Sequence, residues 1–136
     1  MTAVEGLGSR KQPRLVRVKG SVLLKDEYER SKRIRLSDFP DRTGYECFLN
    51  HVHLPYDGSR AALQGCLKYI GALRKALLKF ADNSTFGIIV SVADDSCVVR
   101  FHELRPNEEW LLADVERYPD EAVLTMTVGK NGSRLV

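Results

Sequence analysis

The feature that most constrains the fold is an amphipathic stretch in the middle of the chain, residues 57–81, with the sequence DGSRAALQGCLKYIGALRKALLKFA. Its large apolar residues recur at i, i+3, i+4 and i+7, the spacing that places side chains on one face of an α-helix. They are Leu63, Cys66, Leu67, Ile70, Leu73, Leu77 and Phe80. A side-chain oxygen of Asp57 or Ser59 is suited to cap the first turn. The pattern predicts a helix about 35 Å long with its apolar face on a sheet.

The segments around this stretch predict strands. Two β-rich runs, residues 85–92 and 97–104, flank the polar turn ADDS and indicate a hairpin. Further strands are predicted at residues 14–24 (with a bend at Gly20), 45–54 and 122–128. Residues 25–36 fit either a short helix or a strand, and residues 37–44 have the composition of a loop. A second short helix, capped by Asn107, is predicted over residues 107–118.

The order of these elements predicts the fold class. Strands follow one another without regular helical crossovers, which favours an α+β fold over a doubly wound one. We expect a single mostly antiparallel sheet of about five strands, with the long helix packed on a face and a second short helix. Residues 14–129 are expected to form this one domain, between flexible tails at residues 1–13 and 130–136.

Composition and cysteine usage bound the class of protein. The chain has 136 residues, 43% of them hydrophobic and 29% charged, which is typical of one soluble domain. No apolar run approaches the roughly 20 residues needed to span a membrane, and residues 1–13 lack the apolar core of a secretory signal. Because Cys47, Cys66 and Cys97 are odd in number and widely spaced, we expect buried thiols in a reducing compartment. We therefore predict a cytoplasmic protein with no membrane partner and no cofactor.

The charge is divided unevenly along the chain. Residues 1–81 carry 16 basic and 8 acidic side chains, whereas residues 82–136 carry 5 basic and 10 acidic ones. The net charge is therefore +8 over residues 1–81 and −5 over residues 82–136. A molecule with two signs is poorly suited to wrap nucleic acid in one uniform field, and better suited to a protein partner with complementary patches. The alternative is that both segments are ordinary solvated surface.

Three histidines form a possible metal-binding set. His51 and His53 are two residues apart, so in a strand their side chains point the same way. If the strand that carries His102 lies alongside, three imidazoles converge, as in some catalytic zinc sites. No cysteine or carboxylate at ligand spacing reinforces the set, so we keep the metal-dependent enzyme as an alternative hypothesis and expect no metal.

A basic stripe offers a second alternative. It follows the polar side of the long helix, and further cations precede it in the chain: Arg60, Gln64, Lys68, Lys75 and Lys79, with Arg30, Lys32, Arg33 and Arg35 upstream. Such a stripe can contact phosphates, but few aromatic residues are interleaved with it. It is equally the normal solvent face of an amphipathic helix. Nucleic acid is therefore not the expected partner.

Acidic side chains are concentrated beside aromatic ones in the last third of the chain. Exposed carboxylates without a nearby nucleophile are suited to docking on a basic protein rather than to acid–base catalysis. The predicted partner-binding residues are Asp94, Asp95, Glu103, Glu108, Glu109, Trp110 and Asp114. The alternative is a face that serves only solubility.

The C-terminal half also resembles a known group of proteins. The segment GIIVSVADDSCVVRFHE, followed by NEEWLLADVERYPDEAVL, is similar to small bacterial immunity proteins, the antidotes of polymorphic-toxin and contact-dependent growth inhibition systems. The resemblance covers roughly residues 84–128, with a hairpin, a Glu-Glu-Trp helix start and a terminal strand. It implies a cytosolic α+β domain that binds and neutralises a toxin. We therefore expect a non-enzymatic protein-binding domain whose partner is a cognate toxin domain.

Overall fold

A computed structural model describes residues 12–81, 84–108, 122–129 and 132–135. In chain order the elements are strands β1 (Leu15–Val18) and β2 (Ser21–Leu24), helices α1 (Lys25–Arg30) and α2 (Arg42–Leu49), strand β3 (His51–Pro55), helix α3 (Arg60–Leu78), and strands β4 (Phe86–Ala93), β5 (Ser96–Glu103), β6 (Ala122–Gly129) and β7 (Gly132–Leu135). A short 3-10 turn, Leu36–Asp38, separates α1 from α2.

The α+β fold is confirmed. Five strands form one antiparallel sheet in the order β3-β5-β4-β6-β7, and α3 packs on one face of it. β4 and β5 pair over eight residues, so the predicted hairpin is also confirmed. The core forms where the inward residues of β4 and β5, such as Ile88, Val99 and Phe101, meet the buried side of α3. The three cysteines are buried thiols. Among the described helices, none is long and apolar enough to cross a membrane.

The long helix forms over a shorter range than predicted, and its buried face differs from the predicted one. The Ser59 hydroxyl caps it by accepting the Ala62 N–H at 3.1 Å. Leu63 and Leu67 are 44% and 56% exposed, so their assignment to the core was wrong. Tyr69, absent from the predicted set, is buried instead. The apolar arc is wider than the surface that the sheet covers, and packing selects the arc centred on Cys66, Tyr69, Ile70, Leu73 and Leu77.

The strand predicted for residues 45–54 is replaced by a helix and a shorter strand. The Asp41 carboxylate accepts the Gly44 N–H at 2.7 Å and caps α2, which ends just before β3. Tyr45 and Leu49 lie four residues apart, so they share one face of α2 and pack in a second apolar cluster with Leu23. The alternating pattern in this segment therefore also fits a helical period.

The N-terminal segment and the C-terminal end differ from their predictions as well. Residues 14–24 form a separate hairpin, β1–β2, because Lys19 and Gly20 both adopt positive φ and reverse the chain. Residues 25–30 are helical, which resolves the two interpretations of that segment. Residues 132–135, assigned to a flexible tail from the sequence, pair with β6 as strand β7.

Asn50 ties the small hairpin to the main sheet. It lies between α2 and β3 and is fully buried. Its side-chain oxygen accepts the Leu24 N–H at 2.9 Å, and its side-chain amide donates to the carbonyl oxygens of Val22 and Phe101 at 2.9 and 3.3 Å. One amide thus satisfies backbone groups of two strands that do not pair with each other. This link fixes where β2 meets the start of β3.

Candidate functional site

The predicted acidic surface is divided between two ends of the sheet. Asp94 and Asp95 form the turn between β4 and β5 and are exposed. Glu103 is the last residue of β5, and at about 3.3 Å per residue it lies roughly 23 Å from this turn. Glu108 follows Glu103 in a turn at the same end. The other three predicted partner-binding residues, Glu109, Trp110 and Asp114, lie outside the described residues.

The predicted second helix, residues 107–118, also lies mostly outside the described residues. Its cap residue, Asn107, has a φ of 67° in a turn that the Glu108 N–H closes by donating to the Arg105 carbonyl. A helix cap has an extended backbone instead.

The two acidic groups have different electrostatic surroundings. Asp94 and Asp95 take part in none of the ion pairs of the described residues. Glu103 and Glu108, in contrast, are held in a polar cluster around Arg105. Their carboxylates are therefore less available to a partner than those at the hairpin turn.

The centre of this cluster is a buried ion pair that joins α2 to the end of β5. The Glu46 side chain is 1% exposed. Both nitrogens of the Arg105 fork donate to its carboxylate, at 3.0 and 2.6 Å, and the Glu103 N–H donates to the same carboxylate at 2.9 Å. Burial lowers the pKa of Arg105, but the hydrogen bonds and charge of Glu46 outweigh it, so the pKa is raised overall. The ion pair therefore holds α2 against the end of β5, two segments that are far apart in the sequence.

Glu108 also belongs to the polar cluster around Arg105 and links it to the first turn of α2. Its carboxylate accepts hydrogen bonds from the Thr43 hydroxyl at 2.6 Å and from the Thr43 N–H at 3.1 Å. The hydroxyl bond is the largest cause that lowers the pKa of Glu108. Because Thr43 lies in the first turn of α2, Glu108 also stabilises the free N–H groups at that helix end.

His102 lies beside this cluster and is buried. Its Nδ1–H donates to the Glu103 carbonyl at 3.0 Å, whereas its Nε2 has no hydrogen-bond partner among the described residues. Burial is the main cause that lowers the pKa of His102. The imidazole is therefore neutral near pH 7.

This burial makes folding stability depend on pH in a defined window. The unfolded chain binds a proton at His102 near pH 6.5, but the folded protein does so only at lower pH. We therefore expect the free energy of unfolding to fall as the pH drops below about 6.5, by up to about 1.4 kcal/mol per pH unit. Urea unfolding at several pH values between about 7.5 and about 5 would measure this. A His102→Gln variant should lose the dependence; an equal dependence in both proteins would contradict the prediction.

The three histidines do not assemble into a metal site. His51 and His53 share one side of β3, as predicted, with ring centroids 5.3 Å apart. His102 is buried and hydrogen-bonded near the Arg105 cluster. Within the described residues, no group of three His, Cys, Asp or Glu side chains is placed to hold a metal ion. The arrangement required by the metal-enzyme hypothesis is therefore missing from these segments.

The cysteines are equally unsuited to nucleophilic chemistry. Cys97 is 1% exposed. Its burial and a hydrogen bond with Cys66 raise the pKa of the Cys97 thiol to about 12. A thiol that stays protonated and inaccessible is a core residue rather than a nucleophile.

A groove of about 690 Å³ opens between the small hairpin and β3. Side chains of β2, α1, β3 and α3 line the groove, together with residues that precede β1. The lining residues are Gln12, Pro13, Arg14, Leu24, Asp26, Glu27, Arg30, His51, Val52, His53 and Tyr69. Its volume is in the range of ligand-binding clefts. Arg14 pairs with Asp26, and Arg30 pairs with Glu27, at the exposed rim.

A row of aromatic rings leads towards this groove. We call Phe39, Phe48, His51 and His53 the aromatic row. Successive ring centroids are 5.5, 6.2 and 5.3 Å apart. Phe48 is 47% exposed. No sequence pattern predicts this row, because its members come from a loop, a helix and a strand; the short segment YECFLNHVH shows only that aromatic residues are frequent there.

The basic stripe of α3 is solvent-facing, as its pattern indicates. Lys68, Lys75 and Lys79 are exposed, and so are Arg60 and Gln64. Among the upstream cations, Arg30 is the last residue of α1, whereas Lys32, Arg33 and Arg35 lie between α1 and the 3-10 turn; all four are exposed.

Comparison with known proteins identifies a family. A family model described as the Uncharacterized protein PM0498 family matches residues 5–134. No curated protein matches the chain, and no solved structure matches it.

Proposed function

We propose that this chain, which belongs to the Uncharacterized protein PM0498 family, is a non-enzymatic protein-binding domain that neutralises a bacterial toxin domain, as immunity proteins do. The observation that carries the proposal is the turn between β4 and β5. Asp94 and Asp95 are adjacent, exposed and outside every ion pair of the described residues. Two uncompensated carboxylates at one point attract a basic surface.

The rigidity of the turn favours the same function. β5 pairs with β3 and β4, and β4 pairs with β5 and β6, so both strands that carry the turn lie inside the sheet. The pairing reaches Ala93 and Ser96, immediately beside the two aspartates. A backbone held in this way loses little conformational freedom when a partner binds the two aspartates, which favours affinity. We place the contact with the toxin domain at this turn.

The test is growth rescue by co-expression. We expect a reading frame next to that of this chain to encode a domain that arrests growth when expressed alone. Co-expression of this chain should restore growth, and the two proteins should co-purify. A candidate toxin whose arrest is not relieved, and which does not co-purify, would overturn the proposed function.

Charge reversal at the turn tests the interface separately. The double variant Asp94→Lys/Asp95→Lys should slow association with the toxin domain by about tenfold at low salt, because steering is lost and like charges meet. Biolayer interferometry at two salt concentrations would measure the rate. Glu29→Lys, an exposed acidic position on α1, is the matched control and should bind normally. Equal rates for all three proteins would place the interface elsewhere.

A further inference from the structure

We propose that the aromatic row and the arginines around it bind single-stranded nucleic acid. This site shares no residue with the Asp94–Asp95 turn or with the basic side of α3. It combines the exposed Phe48 ring with cations for phosphates, and non-specific single-strand binding uses aromatic rings and cations together.

Neighbouring rings of the aromatic row pack against one another with their planes inclined by 47°, 59° and 81°, so the row presents the exposed Phe48 ring to a base rather than parallel faces to successive bases. Phe48 lies at the centre of the row, between Phe39 at 5.5 Å and His51 at 6.2 Å. The His51 Nδ1–H donates to the Phe48 carbonyl at 2.6 Å, which fixes the imidazole relative to the end of α2. Because Phe48 is 47% exposed, one side of its ring is available to stack on a base. A preformed row of this kind needs little reordering on binding.

Cations precede the Phe39 end of the row in the sequence, where Asp38 and Asp41 flank Phe39, and other cations line the groove at the His53 end. Arg35 precedes the 3-10 turn that ends beside Phe39, and residues 30–35 carry four cations and no carboxylate. At the other end, His51 and His53 line the groove together with Arg14 and Arg30. These two arginines pair with Asp26 and Glu27, but their side chains remain 63% and 68% exposed. Exposed pairs of this kind are weak, so a phosphate can compete for them.

The charge of the surface favours nucleic acid over a protein partner. Arg33 and Arg35 are exposed and take part in none of the ion pairs of the described residues. Protein interfaces also use arginine and aromatic side chains, but their cores are depleted of charged residues overall. A polyanion with flat bases, in contrast, uses the rings and the cations together. DNA and RNA share this chemistry, so both are probes in the test.

The experiment is fluorescence anisotropy with labelled oligothymidine and oligouridine of about 12 nucleotides. We expect the intact protein to bind at least one of them with micromolar affinity at about 50 mM salt, with weaker binding as salt rises. Phe48→Leu, which keeps an apolar side chain but removes the ring, should raise the Kd at least about fivefold. Arg33→Ala/Arg35→Ala should reduce the slope of log K against log salt by about 1.4. A preference for one oligonucleotide identifies the sugar that the site accepts.

Matched control variants distinguish binding at this site from non-specific electrostatic attraction between the oligonucleotide and the protein. Lys75→Ala removes an exposed cation from α3 that is not part of the proposed site and should leave the Kd within about twofold. Phe48→Leu should lower the thermal unfolding midpoint only slightly, because Phe48 is 47% exposed and leucine keeps an apolar contact with Phe39. Either an absence of binding at low salt, or binding that Phe48→Leu leaves unchanged, overturns the proposal. Equal losses of affinity in Lys75→Ala and in Arg33→Ala/Arg35→Ala also overturn the proposal. It is likewise overturned if the aromatic row binds a protein partner and no oligonucleotide.

Discussion

Leu73→Asp is expected to abolish cooperative folding, whereas Leu67→Asp should leave a folded protein. The two residues lie less than two turns apart on α3, and the sequence pattern assigns both to the core. Leu73 is 1% exposed, but Leu67 is 56% exposed. A carboxylate at position 73 forfeits roughly 2 kcal/mol of apolar burial, and placing an unpaired charge in the core costs several kcal/mol more. Together these losses approach the roughly 5–15 kcal/mol that stabilises a typical domain.

Circular dichroism and thermal melting of the purified variants would measure the difference. We expect a cooperative transition for Leu67→Asp near that of the parent protein, and none for Leu73→Asp. Leu73→Ala is the graded control, with an expected loss of about 2–5 kcal/mol. A cooperatively melting Leu73→Asp protein, or an unfolded Leu67→Asp protein, would contradict the packing of α3 on the sheet.

Arg105→Ala is expected to destabilise the fold by about 3–5 kcal/mol, because it leaves the buried Glu46 carboxylate without its counter-charge. Two of the three hydrogen bonds that the Glu103 N–H and the Arg105 fork donate to this carboxylate are lost in the variant. Glu46 lies in α2 and Arg105 follows β5, so the lost contact joins segments far apart in the chain. Urea unfolding at about pH 7 would measure the loss.

The double variant Glu46→Leu/Arg105→Leu provides the control. It removes both charges, so no charge remains buried and unpaired. We expect it to be more stable than Arg105→Ala, even though it carries more changes. If the double variant is less stable than Arg105→Ala, the cost comes from lost packing or hydrogen bonding rather than from an unpaired Glu46. A loss below about 1 kcal/mol in Arg105→Ala would show that water solvates Glu46 when the arginine is absent.

The polar cluster around Arg105 determines which of the predicted acidic residues are available to contact a partner. Glu103 and Glu108 have charged or hydrogen-bonding partners in the fold, so they contribute less to a partner surface than their sequence context suggests. Asp94 and Asp95 are left as the exposed acidic pair among the predicted partner-binding residues that the structure describes. The acidic turn and the aromatic row share no residue, but β3, which carries His51 and His53, pairs with β5 as far as Ser96, beside the acidic turn.

Much of the architecture follows from local sequence patterns. The helical spacing within residues 60–78 and the β-rich runs around Asp94 and Asp95 are strong enough to predict α3 and the β4–β5 hairpin. The absence of regular helical crossovers correctly indicates an α+β fold. These features depend on periodicity over one element, where the backbone geometry sets which side chains share a face.

Other features depend on contacts between elements, which no local pattern contains. The segment at residues 45–54 alternates like a strand, but Tyr45 and Leu49 also fit a helical face, and the Asp41 cap together with packing on Leu23 selects the helix. The burial of Glu46 depends on Arg105, 59 residues later in the chain. Its charge is tolerated only because that partner is held beside it.

The order of residues along the chain is enough to establish that a long amphipathic helix, Arg60–Leu78 in the structure, covers an antiparallel sheet, because helical periodicity is a property of neighbouring residues. Which arc of that helix is buried depends on packing, since the sheet covers less surface than the apolar residues offer. Packing also separates the acidic residues to two ends of a hairpin and brings rings from three elements into one row. Such positions are set by long-range contacts, in which residues distant in sequence determine each other's surroundings.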